Sequence, residues 1–183
     1  MSKILSTAQR TTFCGLFCAF GVLFPQIFHW IGMISGAGAV PGTIFLPMHI
    51  PVLLAGLLIG PQIGCIVGIV TPVVSTLLTN MPVPALPPFM IIELAGYGLT
   101  AGWMCHTRLP VIIQLIIAQL AGRILRAAAI LIGVFLIGYC SPVADITTIW
   151  TSVITGLPGL LLQWFFIPLL VFRLRHLERR TLD

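Results

Sequence analysis

Charge is what this chain has least of. Asp, Glu, Lys and Arg make up 7% of its 183 residues, against 58% hydrophobic. A soluble domain averages about a quarter charged residues. The shortage excludes an ordinary soluble globule and any disordered or nucleic-acid-binding tail protein. Lysine is reduced to Lys3, so a phosphate-cradling GxxxxGK[ST] loop cannot be built, and ATP hydrolysis by that mechanism is excluded. HExxH and GxSxG are absent as well. Cys14, Cys18, Cys65, Cys105 and Cys140 form no CxxC pair, so neither a disulfide framework nor a zinc finger is implied. Glu93 is the one acidic residue inside the apolar runs. A proton- or sodium-coupled pathway usually needs several intramembrane ionisable groups. A binding subunit powered by partners therefore fits better than a stand-alone pump.

Long apolar runs are what is present. They predict an all-α membrane protein forming a single domain over residues 1–183, with six transmembrane helices at about 11–34, 43–59, 62–78, 89–106, 110–138 and 147–172. Pro47 and Pro51 interrupt the second run, and Gly60-Pro61 makes a tight turn into the third. Pro82, Pro84, Pro87 and Pro88 keep the connection 79–88 out of regular helix. The run behind Lys3 and Arg10 leads into no clean cleavage site and is read as the first span, not as a signal peptide.

With six spans, Lys3, Arg10, Arg108, Arg173, Arg175, Arg179 and Arg180 fall on one side, and the opposite loops carry no Lys or Arg. Both termini are then expected in the cytoplasm. The expected location is the bacterial cell membrane. The surplus of nine Lys+Arg over four Asp+Glu is read as topology and lipid contact, not as a nucleic-acid footprint.

A few residues are out of place in such spans. Glu93 in span 4 is costly unless it is paired or lines a cavity. Arg123 and Arg126 in span 5 are costly too, and their i, i+3 spacing puts them on one face. An ion pair between Glu93 and Arg126 leaves one arginine over for an anionic ligand; a purely structural ion pair is the alternative. His49, with Met48 beside it, lies in the Pro-interrupted span 2. Met33 and His29 are near the outer end of span 1, and Met81 and Met90 flank the third outer loop. Imidazole and thioether are the ligands that hold haem iron, so His49 is a candidate metal ligand if the cargo is a metal complex. All of these residues also pack well in apolar surroundings. Cys105 and His106 point about 100° apart on a helix and chelate poorly. Cys14 and Cys18 share a face but behave as small hydrophobes. Trp30, Trp103 and Trp150 fall near span ends, as an aromatic belt would place them; Trp164 lies deeper.

The stretch Phe45–Gly102, with its Pro-containing span 2, Gly60-Pro61 turn, Pro-rich loop and Glu93-Leu94-Ala95-Gly96-Tyr97-Gly98 sequence, resembles the substrate-binding S components of energy-coupling factor (ECF) importers. The length and six-span layout match over the whole chain. The resemblance implies a non-enzymatic subunit that binds a vitamin or related micronutrient at the outer face. It also implies partnership with a transmembrane T subunit and two cytoplasmic ATPases, and reorientation to release cargo inside. Such proteins dock the T subunit through small residues at i, i+4 in span 1, here matched by Gly15-x-x-x-Ala19. Internal packing of span 1 is the other use of such a pair.

The expected ligand site therefore comprises His49, Met48, Met33, Met81, Glu93, Arg123 and Arg126. No intrinsic cofactor is expected. The cargo is either a carboxylate such as pantothenate or a tetrapyrrole such as haem or cobalamin. A small membrane enzyme using Glu93, His49 and Arg126, and a ligand-free assembly subunit, are the rival readings.

Overall fold

The computed structural model describes residues 6–38, 40–80, 86–136 and 146–180. These are helical throughout, with no strand among the described residues: α1 (Thr7–Ile34), α2 (Val40–Phe45), α3 (His49–Ile59), α4 (Pro61–Thr79), α5 (Pro87–Met104), α6 (Val111–Leu136), α7 (Ile146–Thr155) and α8 (Leu157–Arg180). Five segments are long and apolar enough to cross a membrane: Thr7–Ile34, Val40–Ile59, Pro61–Thr79, Val111–Phe135 and Leu157–Leu174. α5 is 18 residues long and is not one of the five. Pro87, Pro88, Glu93 and the glycines at 96, 98 and 102 dilute its apolar character.

α1 begins at Thr7, earlier than the apolar run, because Ser6 and Gln9 cap it reciprocally. The Gln9 amide donates to Ser6 Oγ at 3.3 Å and the Ser6 amide donates to Gln9 Oε1 at 2.9 Å.

The second apolar run is two helices. Pro47 has no N–H and disfavours helical backbone in the residue before it. Leu46, just before it, sits in the left-handed region at φ 48°, and α2 ends before α3 begins. Pro51 causes no second break, because it lies in the first turn of α3, where its missing donor has no intrahelical partner. The last apolar run is also split, into α7 and α8 at Gly156, with Pro158 two residues on. α8 then continues past the apolar stretch through Arg173 to Arg180.

α3 is the axis of the molecule. Every residue from His49 to Ile59 is buried, and α1, α4, α5 and α8 pack around it. Its C-terminal turn into α4 depends on Gly60 at φ 128°, a conformation that side chains disfavour. α4 and α5 approach backbone to backbone. A Cβ added to Gly64 would meet the carbonyl of Gly98, one on Gly68 the carbonyl of Leu94, and one on Gly98 the carbonyl of Gly64. Gly64-x-x-x-Gly68 on α4 thus faces Gly98-x-x-x-Gly102 on α5, the arrangement by which small residues bring membrane helices into van der Waals contact. The outward faces carry Leu16, Leu23 and Ile27 on α1 and Leu161, Phe165 and Phe172 on α8, all exposed, as suits a surface solvated by lipid.

Candidate ligand site

The charged residues of the bundle meet where α3 starts and α5 and α6 pass it. Glu93 and Tyr97, at i, i+4 on α5, share one face. The Tyr97 hydroxyl donates to Glu93 Oε1 at 2.8 Å, and Arg126 Nη1 on α6 donates to Glu93 Oε2 at 2.9 Å. Glu93 is 1% exposed, so each carboxylate oxygen needs a partner, and each has one. α6 comes this close because Gly122 lies against the Tyr97 ring and the Glu93 carbonyl, where a Cβ would collide.

His49 Nε2 stands 3.9 Å from Glu93 Oε1, and its ring lies 5.2 Å from that of Tyr97. His49 is 3% exposed and its Nδ1 has no hydrogen-bond partner. Met48 is buried in the same core.

Arg123, one turn below Arg126 on α6, is differently placed. Its Nη1 donates to the Ser152 carbonyl in the last turn of α7 at 3.4 Å, and its Nε is buried without a partner. Among the described residues it forms no ion pair. One further turn down, Gln119 Nε2 donates to Gln163 Oε1 at 2.8 Å, and Trp164 Nε1 donates to Gln119 Oε1 at 2.6 Å. Gln163 Nε2 reaches the Leu46 carbonyl at 3.4 Å, so the break between α2 and α3 is tied to α8. α6 thus carries a polar stripe in which Gln119 and Arg123 bond to α8 and α7 and Arg126 bonds to α5.

The structure brings together four of the expected site residues, His49, Glu93, Arg123 and Arg126, with Met48 adjacent in the chain. Met33 is exposed near the end of α1 and takes no part in this cluster. Met81 lies outside the described residues. Met90 packs half-buried against the core. His29 is taken up by α2, its ring resting on Gly42. Cys105 Sγ donates to the Gly102 carbonyl at 3.0 Å, and His106 is exposed. Cys14 and Cys18 pack towards the core, whereas Gly15 and Ala19 face outward. A Cβ on Gly15 would meet nothing within 4 Å, so Gly15 has no role in packing within the subunit. Among the described residues no group of three or more His, Cys, Asp or Glu side chains could hold a metal ion.

Residues that sequence reasoning passed over are Tyr97, Gln119, Gln163, Gly156 and the carbonyls of Leu46 and Ser152. Tyr97 was signalled by its i+4 spacing from Glu93. Gln119 and Gln163 were signalled by being amides within apolar runs. The two carbonyls had no residue-level signal.

This architecture of apolar helices, with a buried charge cluster beside two interrupted ones, agrees with a family model for the substrate-specific component of ECF transporters, which matches residues 9–176. The chain belongs to this family. It is thus the S component of a transporter, a subunit type that is not an enzyme, and membership implies a membrane complex with T and ATPase subunits. Comparison with curated proteins and with solved structures gives no match.

Proposed function

We propose that this S component captures a small anionic nutrient between α3, α5, α6 and the α7–α8 break, for ATP-driven import by its partners. The observation that carries the reading is the imbalance between the two arginines. Both arginines have a buried Nε without a partner, but Arg126 Nη1 is engaged by Glu93 at 2.9 Å, while Arg123 has one long bond to a neutral carbonyl. A guanidinium at membrane depth is costly unless an anion or a water-filled cavity compensates it. A cargo anion supplies that compensation, with Arg123 as its anchor and Arg126, Glu93 and Tyr97 as the frame.

The tetrapyrrole reading has less support. His49 and Met48, the best-placed soft ligands, are 3% and 6% exposed within the core, so a metal would have to displace packed helix to reach them. The enzyme reading is also weaker, because both Glu93 oxygens are already occupied.

The protein crosses the cell membrane six times with both termini in the cytoplasm. α5 supplies the sixth crossing between α4 and α6, and Lys and Arg gather on one side. The outward Gly15-x-x-x-Ala19 face of α1 suits docking of the T subunit. The test is reconstitution. The purified chain alone should retain a small anion detectable by mass spectrometry and fail to concentrate it in liposomes. Addition of T and ATPase subunits should give ATP-driven uptake. Uptake driven by ATP in this chain alone, or none in the full complex, refutes the reading.

A further inference from the structure

The indole of Trp164 can only donate a hydrogen bond, because it has an N–H and no acceptor. Nε1 donates to Gln119 Oε1 at 2.6 Å, and this turns the Gln119 nitrogen towards Gln163 Oε1 at 2.8 Å. Gln163 Nε2 is then left to donate to the Leu46 carbonyl at 3.4 Å. One indole therefore sets the direction of the whole chain of amides. Gln119 and Gln163 are 4% and 0% exposed, so neither amide can turn to solvent instead.

This chain ends on a backbone outlier. Leu46 has φ 48°, a left-handed conformation that a bulky side chain disfavours and that persists only where its surroundings impose it. The Leu46 carbonyl also accepts from the His49 amide at 3.1 Å. The same turn starts α3 with His49 Nε2 3.9 Å from Glu93 Oε1. α8 reaches the corner because Gly159 lies against the Ile44 and Phe45 carbonyls, where a Cβ would collide.

We infer that Gln163, oriented by Gln119 and Trp164, is the positioning residue that holds the α2–α3 corner in its strained turn and so sets His49 beside Glu93 and Tyr97. The inference rests on the placement of the ligand site at the start of α3, and adds to it a residue of α8 outside the charge cluster. The strain of a left-handed Leu and the net worth of a buried hydrogen bond are of similar size. Removal of that one bond therefore releases the corner.

The full chain, freed of its native cysteines and purified in detergent, carries one probe, Met48→Cys or, as control, Leu53→Cys. Both positions are buried; Met48 adjoins the corner, and Leu53 lies further along α3. Labelling by a water-soluble methanethiosulfonate is followed well below the melting temperature. Gln163→Leu should speed labelling at Met48→Cys by about tenfold and leave Leu53→Cys within about twofold. A purely structural role would raise both alike, through global unfolding. Leu46→Asn added to Gln163→Leu should restore protection, because Asn adopts the left-handed turn readily, whereas the β-branched Leu46→Val should not.

Gln119→Leu leaves Gln163 in place but unsupported, and serves where Gln163→Leu fails to fold. It should give the same selective rise at Met48→Cys. Unchanged labelling at Met48→Cys in a folded variant, an equal rise at Leu53→Cys, or no recovery with Leu46→Asn overturns the inference. These readouts involve neither cargo nor import, so the anionic-nutrient reading stands or fails separately, by uptake in the full complex.

Discussion

Arg126 Nη1 donates to Glu93 Oε2 at 2.9 Å across the α5–α6 interface, with Glu93 1% exposed. A pair at this depth stabilises little relative to well-packed apolar residues, but breaking it leaves an uncompensated buried charge, at about 3–5 kcal/mol. Arg126→Met and Glu93→Gln should each lower the melting temperature of the purified subunit markedly. Glu93→Gln combined with Arg126→Met removes both charges at similar volume and should recover much of the loss. A double-mutant cycle on detergent-solubilised protein checks this, and additive losses would show that the two residues are not coupled.

Arg123 should behave in the opposite way. Its guanidinium makes a long, 3.4 Å hydrogen bond to the Ser152 carbonyl, so Arg123→Ala should change the melting temperature of the empty protein little. Affinity for an anionic ligand should fall by about ten- to a hundredfold. Calorimetric titration of Arg123→Ala with the small anion that co-purifies with the parent separates it from Arg126→Met, whose chief effect should be on stability.

Two glycines should differ as sharply. A Cβ on Gly98 would collide with the Gly64 carbonyl, whereas one on Gly15 would meet nothing within 4 Å. Gly98→Ala should destabilise the subunit by at least the ~1–3 kcal/mol typical of overpacking. Gly15→Leu should leave the isolated subunit unchanged and reduce recovery of a co-expressed T subunit. Thermal unfolding and co-purification read the two effects independently.

Topology gives a further check. In a cysteine-free background, a cysteine at Ala37 should react with an impermeant thiol reagent added outside intact cells. A cysteine at Leu109 should react only after the membrane is opened. Both positions are exposed in the subunit, so protection reports the side of the membrane.

Much of this was legible residue by residue. Glu93, Arg123 and Arg126 stand out because charge inside an apolar run demands compensation, and the i, i+3 spacing of the arginines already put them on one helical face. The division of labour between them was not legible. It depends on which guanidinium α5 meets when α6 packs against it through Gly122, and that is decided by helix rotation and depth.

Spans 2 and 6 tell the same story. Pro47 marks span 2 as interrupted in the sequence, whereas span 6 reads as one run at about 147–172; only the structure splits it into α7 and α8 at Gly156 and brings the two breaks together beside Arg123. Met33 is a converse case. Its soft thioether made it a candidate ligand, yet the course of α1 leaves it exposed, away from His49.

By itself the sequence determined the solvent of this protein, its helical class, and the identity of the few residues that membrane burial makes expensive. Hydrophobic run length, proline chemistry and the cost of desolvating charge are local properties that each residue carries with it. The tertiary structure alone decided that Glu93 is shared by Arg126 and Tyr97, and that Gly64 and Gly98 bring α4 and α5 into backbone contact. It also decided that Gly156 lies against the guanidinium of Arg123. Those relationships depend on the depth and rotation of one helix against another, which are fixed by how the whole set of helices packs at once.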